Sequence, residues 1–485
     1  MSISTTRDST LRQRYANILF HLTGQARWLA SLTLILGVGS HAVNGFVTAA
    51  ALPDIIRELG GQERAFWVFT LFQVAAIVAG TMTGTLKARL GAKPLFIFAT
   101  LLLLAGSLVA GLAHSIPGLL GGRFLQGFGE GMIMALCYTV IPDLFEERVV
   151  PAVYSLLSAV WALAAGIGPL AAGVLVETWS WRAAFLANVP LTGLLLALAI
   201  TVIPVTIRDE AEISDKAKAA AIPRILMIAI AVLLISFIGE MSDTKAITMV
   251  LAAGLSLIAF TLYLDRRSAL PFAPRNAFRL AGVLGFCVWI RLIMSSSNAI
   301  RGVYYTGIGQ SLWGLSVTQA SYASTLTAFS WTIAAWLVAG VSNPDTQRRL
   351  IRLGTISSAT GLAVVALALS RQSFPVFTLG SIACGAGFGM SNLFLNKSII
   401  YAAEGAERDR ASGIIPTLTS AGVAIGAAIT SLFALQFGLS EPGTGELVTR
   451  EAAMASGPPV FLIMAGFAAL AIPLALALPR LRGPE

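Results

Sequence analysis

Charge is what this sequence has least of. Asp, Glu, Lys and Arg make up 12% of its 485 residues, against about 25% in soluble domains. Histidine and cysteine are nearly missing, with three of each. Cys137, Cys287 and Cys384 fall in separate apolar runs, in no spacing that suits a disulfide framework or a metal site, and His21, His41 and His114 lie far apart. These shortages leave no nucleophile beside a base, no paired carboxylates near one surface and no metal cluster. No catalytic residue, no metal and no cofactor is therefore assigned, and a membrane-embedded enzyme is argued against. Long polar stretches are missing as well, which argues against a sensor or scaffold with a soluble domain.

What is present is hydrophobicity, with 56% of residues apolar and a mean hydropathy of +0.79. A soluble protein with one large core would show polar helix faces at 3.6-residue spacing. Here most segments are apolar all round for about 20 residues, the length that crosses a hydrocarbon layer roughly 30 Å thick. In lipid such runs are helices, because each backbone N–H and C=O must be satisfied within the segment. Six spans fall near 28–52, 65–86, 94–113, 117–142, 151–176 and 183–204, and six more near 279–307, 317–341, 350–370, 374–397, 411–437 and 458–478. Two shorter ones lie between them.

The organisation read from these spans is an all-α membrane protein. Residues 1–27 form an N-terminal tail, 28–204 a six-helix bundle, 205–222 a linker, 223–264 two inserted transmembrane helices, 265–278 a second linker, 279–478 another six-helix bundle and 479–485 a C-terminal tail. The first tail carries Arg7, Arg12, Arg14 and Arg27 with no cleavage site after a short apolar stretch, so it reads as cytoplasmic rather than as a signal peptide. With that orientation most of the 33 Lys and Arg fall on the cytoplasmic side of a multi-pass protein of the cell inner membrane, with both termini cytoplasmic. The net charge of +9 then belongs to the lipid surface, and no nucleic-acid partner is expected.

The two halves carry a faint repeat. GFGEGMIM (127–134) lies against GAGFGMSN (385–392), and EERVVPA (146–152) against AERDRAS (406–412). Internal repeats mark transporters in which two bundles rock about a midplane site. Phe388 takes the place of Glu130, so the carboxylate belongs to one half only.

Several stretches resemble the major facilitator superfamily, and in particular its fourteen-helix drug:proton antiporter branch. GTLKARLGAKP (84–94) is similar to that family's loop motif, through Gly84, Arg89, Gly91, Lys93 and Pro94, with Lys87 where an acidic residue is usual. RFLQGFGEG matches a motif carried by Arg123, Gln126, Gly127 and Gly129, and AAGIGPLAAG (164–173) an antiporter motif around Gly168, Pro169 and Gly173. WSWRAAFLANVP (179–190) resembles a stretch typical of the fourteen-helix branch. The resemblance implies the major facilitator fold, two six-helix bundles plus two inserted helices, working as a monomer that exports drug-like amphipathic molecules in exchange for protons. It also implies that Gly84, Arg89, Gly91, Lys93, Gly168, Pro169 and Gly173 serve the conformational cycle. One position departs: nine residues before the proline of ALP, where the branch has an aspartate, stands Asn44. An asparagine does not carry a proton.

That directs attention to Glu130 as the proton carrier, with a substrate contact or a structural hydrogen bond as its alternatives. Seven residues advance a helix by about 700° and return it to within roughly 20° of the same face, so Arg123 and Glu130 look the same way from two depths. Arg123 reads either as cavity-lining or as a guanidinium tying helix backbones together. His41, three residues from Asn44, can share the proton role. Gln126, Arg291, Asn298, Arg301, Asn392 and Asn396 complete the expected substrate cavity, with helix-to-helix bonding as the plainer role of the asparagines and snorkelling as that of Arg301. The run SSSN (295–298) is expected to loosen its helix. Small-molecule substrate, protons and membrane lipids are the expected partners.

Overall fold

The computed structural model describes residues 27–60, 65–146, 149–205, 221–238, 241, 243–268, 271–315, 317–403, 406–439 and 448–481. The N-terminal tail up to residue 26, most of the first linker (206–220) and the loop segment 440–447 lie outside the described residues. Among those described, every regular element is a helix. The first half holds α1 (Arg27–Leu59), α2 (Ala65–Leu90), α3 (Ala92–Gly111), α4 (Ile116–Thr139), the short α5 (Ile141–Leu144), α6 (Val150–Thr178), α7 (Trp181–Leu186) and α8 (Asn188–Val202). Between the halves lie α9 (Ala221–Phe237) and α10 (Thr244–Arg266). The second half holds α11 (Val283–Trp313), α12 (Val317–Val338), α13 (Pro344–Ser370), α14 (Phe374–Tyr401), α15 (Ala406–Phe437), the short α16 (Arg450–Ala455), α17 (Gly457–Ala469) and α18 (Ala471–Ala477). Nine helices among the described residues are long and apolar enough to cross a membrane, and three shorter apolar helices accompany them.

Local chemistry sets the helix ends. Ser115 accepts from Gly118 N at the start of α4, Asn343 accepts from Asp345 N and Thr346 N at the start of α13, and Asp243 does the same for Lys245 N and Ala246 N at α10. The turn from α2 to α3 passes through Gly91 at φ 83°, a left-handed conformation that favours glycine. Two expected spans are broken, at Ala187 between α7 and α8 and at Leu470 between α17 and α18. Each break precedes a proline by three residues, Pro190 and Pro473, whose ring nitrogen has no N–H to return to the preceding turn. The SSSN run does not loosen its helix as expected: α11 passes through it unbroken. Ser297 Oγ and Asn298 Nδ2 donate to Met294 O one turn back, at 3.1 and 2.9 Å, and the small serines admit Gly422 and Gly426 of α15. The polar run is a packing seam.

The halves meet on two sides. α6 packs on α12 along one seam and α2 on α15 along the other, and α9 lies across the second seam, touching both α2 and α15. α9 and α10 are tied together at one end by a buried ion pair, Arg224 Nη1 to Asp265 Oδ1 at 2.5 Å, while Asp265 also accepts from Phe272 N and Ala273 N. Lys87, where the resemblance leads one to expect an acid, reaches the C-terminal end of α4. Its Nζ donates to Thr139 O at 2.8 Å and to Asp143 Oδ2 at 3.1 Å. A cation there answers the negative end of the helix dipole. Lys87→Met is expected to cost about 1 kcal/mol in thermal unfolding. Lys87→Asp, which restores the usual acid but sets it against Asp143, should cost more. Equal melting temperatures for all three proteins would show that the contact contributes nothing.

Candidate functional site

Three of the six glycines of α4, Gly127, Gly129 and Gly131, fix how deep the site lies. A Cβ on Gly127 or Gly131 would run into the carbonyls of Phe72 and Ala76 on α2, and one on Gly129 into the backbone of α3 at Leu103 and Ala99. Hydrogen in place of a side chain lets three helices approach closely, and Arg123, Gln126 and Glu130 on the same helix are all within 1% of full burial.

A single network connects these residues. Asn44 Nδ2 on α1 donates to Glu130 Oε1 at 2.5 Å, and His41 Nδ1, one turn earlier, lies 2.9 Å from Glu130 Oε2. Asn44 Oδ1 accepts from Arg123 Nη1 at 3.4 Å and from Asn188 Nδ2 of α8 at 3.3 Å. Arg123 also donates from Nη1 to Gln126 Oε1 (2.8 Å) and from Nε to Val68 O (3.1 Å), and Gln126 Nε2 donates to Ser107 Oγ. The guanidinium sits 4.1 Å over the ring of Phe72, on which His41 stacks at 5.8 Å. Arg123 and Glu130 share a face, as their spacing requires, but Asn44 stands between them. The amide donates to the carboxylate and accepts from the guanidinium at once, which an ionised aspartate cannot do.

Beside this network a cavity of about 270 Å³ opens between the halves. His41, Arg291, Asn298, Arg301, Asn392 and Asn396 line it. Asn44, Arg123 and Gln126 do not, and the cavity-lining role expected of them is corrected: Val68 O, the Phe72 ring and Ser107 hold the polar groups behind the wall, away from the space. Glu130 is also behind the wall, fully buried, and His41 is the network member that reaches the cavity. The cavity's far wall belongs to the second half. Arg291 Nη2 donates to Thr419 Oγ1 at 2.6 Å and Arg301 Nε to Asn298 Oδ1 at 3.1 Å.

Asn188 and Phe72 are members that sequence reasoning did not single out. Asn188 stands inside the WSWRAAFLANVP stretch as a lone carboxamide in an apolar run, which is the signal that could have found it. The same stretch clamps the end of α1. Trp181 Nε1 and Arg182 Nη1 donate to Glu58 at 2.7 and 2.6 Å, and these bonds hold its carboxyl below the usual range. Of the residues expected to serve the conformational cycle, Gly84, Arg89, Gly91 and Lys93 gather at the Lys87 end of α2 and α3, and Gly168 is buried in α6. Pro169 and Gly173 are placed in α6, but their surroundings lie outside the described residues.

Residues 34–342 match the family model described as Major Facilitator Superfamily. A probable multidrug-efflux transporter of Mycobacterium tuberculosis is 27% identical over 417 residues, covering 83% of this chain and 86% of that protein. Multidrug resistance protein 3 of Bacillus subtilis is 23% identical, covering 82% of this chain and 78% of its own length. Among solved structures, the human organic anion transporter MFSD10 superposes with a TM-score of 0.65 at 12% identity, covering 92% of this chain and 98% of its own, a likeness of fold alone. A helical, multi-pass membrane chain whose two halves face one polar cavity, with the family model matched over most of its length, belongs to the Major Facilitator Superfamily.

Proposed function

We propose that this transporter exports amphipathic, drug-like small molecules by alternating access in exchange for protons, and that the His41–Glu130 pair takes up and releases the proton. The observation that carries this reading is the 2.9 Å contact between a fully buried carboxylate and a histidine that reaches the cavity. A shared hydrogen bond of that length lies within range of proton transfer, so His41 relays between the cavity and Glu130. The names of the relatives support efflux. The reading includes membership of the fourteen-helix branch, with α9 and α10 as the inserted pair, and a monomer in the cell inner membrane with both termini cytoplasmic.

Counterflow in reconstituted vesicles, over a chemically diverse panel with and without an imposed pH difference, tests it. His41→Gln should lower pH-driven accumulation about tenfold while leaving counterflow without a gradient within about twofold, because the relay is cut and the binding cavity is kept. Undiminished pH-driven transport in His41→Gln would remove the relay. A second reading, export of an endogenous anionic metabolite, siderophore or lipid, is favoured by the two arginines that line the cavity.

A further inference from the structure

A second cavity adjoins the polar one. It measures about 680 Å³ and is walled by the inserted helices α9 and α10 together with α2, α11 and α15. Its lining is mostly apolar, and among the described residues Arg266 and Arg410 are the only charged groups on it. Ile77, Gly80 and Thr417 line both cavities, so the seam between α2 and α15 is the wall that separates the two spaces. In that wall Gly80 presents hydrogen where other residues carry a side chain. A Cβ there would lie at ordinary contact distance from Gly131 O and Thr417 Oγ1, 3.4 and 3.6 Å away.

In the polar cavity the second half presents an unmatched cation. Arg291 is 5% exposed, and its Nε and Nη1 are buried without a hydrogen-bond partner among the described residues. Leaving such donors unmet is costly, more so for a charged group. No carboxylate lines either cavity among the described residues, and Glu130 is already bonded to His41 and Asn44 behind the wall. A cationic ligand would find no counter-charge there, and an uncharged apolar one would leave Arg291 unmet.

We propose that the two cavities together hold one anionic amphiphile. Its carboxylate, or a comparable anionic group, takes the free N–H groups of Arg291 within the positive field of Arg301, and its apolar tail runs past Gly80 into the chamber that the inserted helices wall. The ring of Phe388, 5.5 Å from the Arg291 guanidinium, packs beside the anionic group. The inserted pair thereby acquires a task, enclosing the tail. The proposal rests on the polar cavity being the transport site and does not depend on proton coupling.

Binding is measured on the full chain in phosphatidylcholine nanodiscs at one pH, through the fluorescence of Trp161 and Trp331 in the polar cavity and Trp289 in the apolar one. The probes are saturated carboxylates from about eight to about sixteen carbons and alkyltrimethylammonium ions of matching length. Carboxylate affinity should rise with chain length, as each buried methylene adds to the binding, and should exceed that of the matching cation. Arg291→Gln should weaken carboxylate binding about tenfold or more and leave the cations within about twofold, and Arg291→Lys should retain most of it. Gly80→Leu should weaken the longest carboxylates about tenfold and spare the shortest. Cations binding as tightly as carboxylates, or Arg291→Gln weakening both probes alike, overturns the anionic site. Indifference to chain length, or to Gly80→Leu, overturns the tail route. No pH gradient is applied, so failure here leaves the His41–Glu130 relay standing, and failure of the relay leaves these affinities unchanged.

Discussion

Glu130→Gln should abolish accumulation driven by a pH gradient in reconstituted vesicles, a loss of about a hundredfold or more, while the protein folds and still exchanges substrate without a gradient. Glutamine keeps the shape of the site. Its carbonyl oxygen accepts from Asn44 Nδ2 in place of Oε1, and its amide donates to His41 Nδ1 in place of the shared proton. What it removes is the capacity to gain and lose a proton. Glu130→Ala is a poorer test, since it strips the buried network of its anion. Leaving a buried cation without its compensating partner costs about 3–5 kcal/mol, enough to confuse unfolding with uncoupling. The glutamine variant separates them: intact counterflow with lost pH dependence assigns the proton to Glu130, and intact pH dependence takes that role away.

The sequence made the class of this protein legible because apolar runs of span length have few physical outcomes. It made the shared face of Arg123 and Glu130 legible because helix geometry is regular. It did not reveal the partner. Which residue stands between a guanidinium and a carboxylate depends on how α1 is rotated against α4, and no periodicity within α4 encodes that. Asn44 therefore reads from sequence as a missing aspartate, whereas in the fold it is the amide that holds both charges at once. For the same reason sequence puts Asn44, Arg123 and Gln126 in one group with Arg291, Asn298, Arg301, Asn392 and Asn396, whereas in the fold the latter five line the cavity and the first three do not. A polar residue in a span must find polar company, but sequence does not say whether that company is solvent or another helix.

The repeat between the halves acquires a physical meaning in the same way. In α4, Gly127 and Gly131 abut Phe72 and Ala76 of α2 while Gly129 abuts α3. In α14, Gly385 and Gly389 abut Thr327 and Trp331 of α12 while Gly387 abuts α13 at Gly354 and Ser358. The likeness of GFGEGMIM and GAGFGMSN is thus one packing solution used twice. The side chain between the glycines is where the halves differ: Glu130 with His41 in the first, Phe388 beneath Arg291 in the second. One half carries the group read as the proton site, and the other the cation read as the substrate's anchor.

Gly131→Val should prevent recovery of folded protein, and Gly389→Val should do the same in the other half. In each case the added side chain meets a backbone carbonyl, Ala76 O or Trp331 O, rather than the end of a movable side chain. Relief then requires whole helices to separate. Overpacking that side chains can absorb costs about 1–3 kcal/mol; here the backbone itself must shift, and α4 is held on its other face by Gly129 against α3. The measurement is the yield of monodisperse protein after extraction, with the melting temperature of whatever survives. Gly84→Ala is the control, because a Cβ there has nothing within 4 Å. It should fold with an unchanged melting temperature, so that any transport defect in Gly84→Ala belongs to the conformational cycle. Normal yield and melting temperature for both valine variants would mean that the helices within each half are not held together by these glycine contacts. The repeated glycines would then have to be explained by motion rather than by packing.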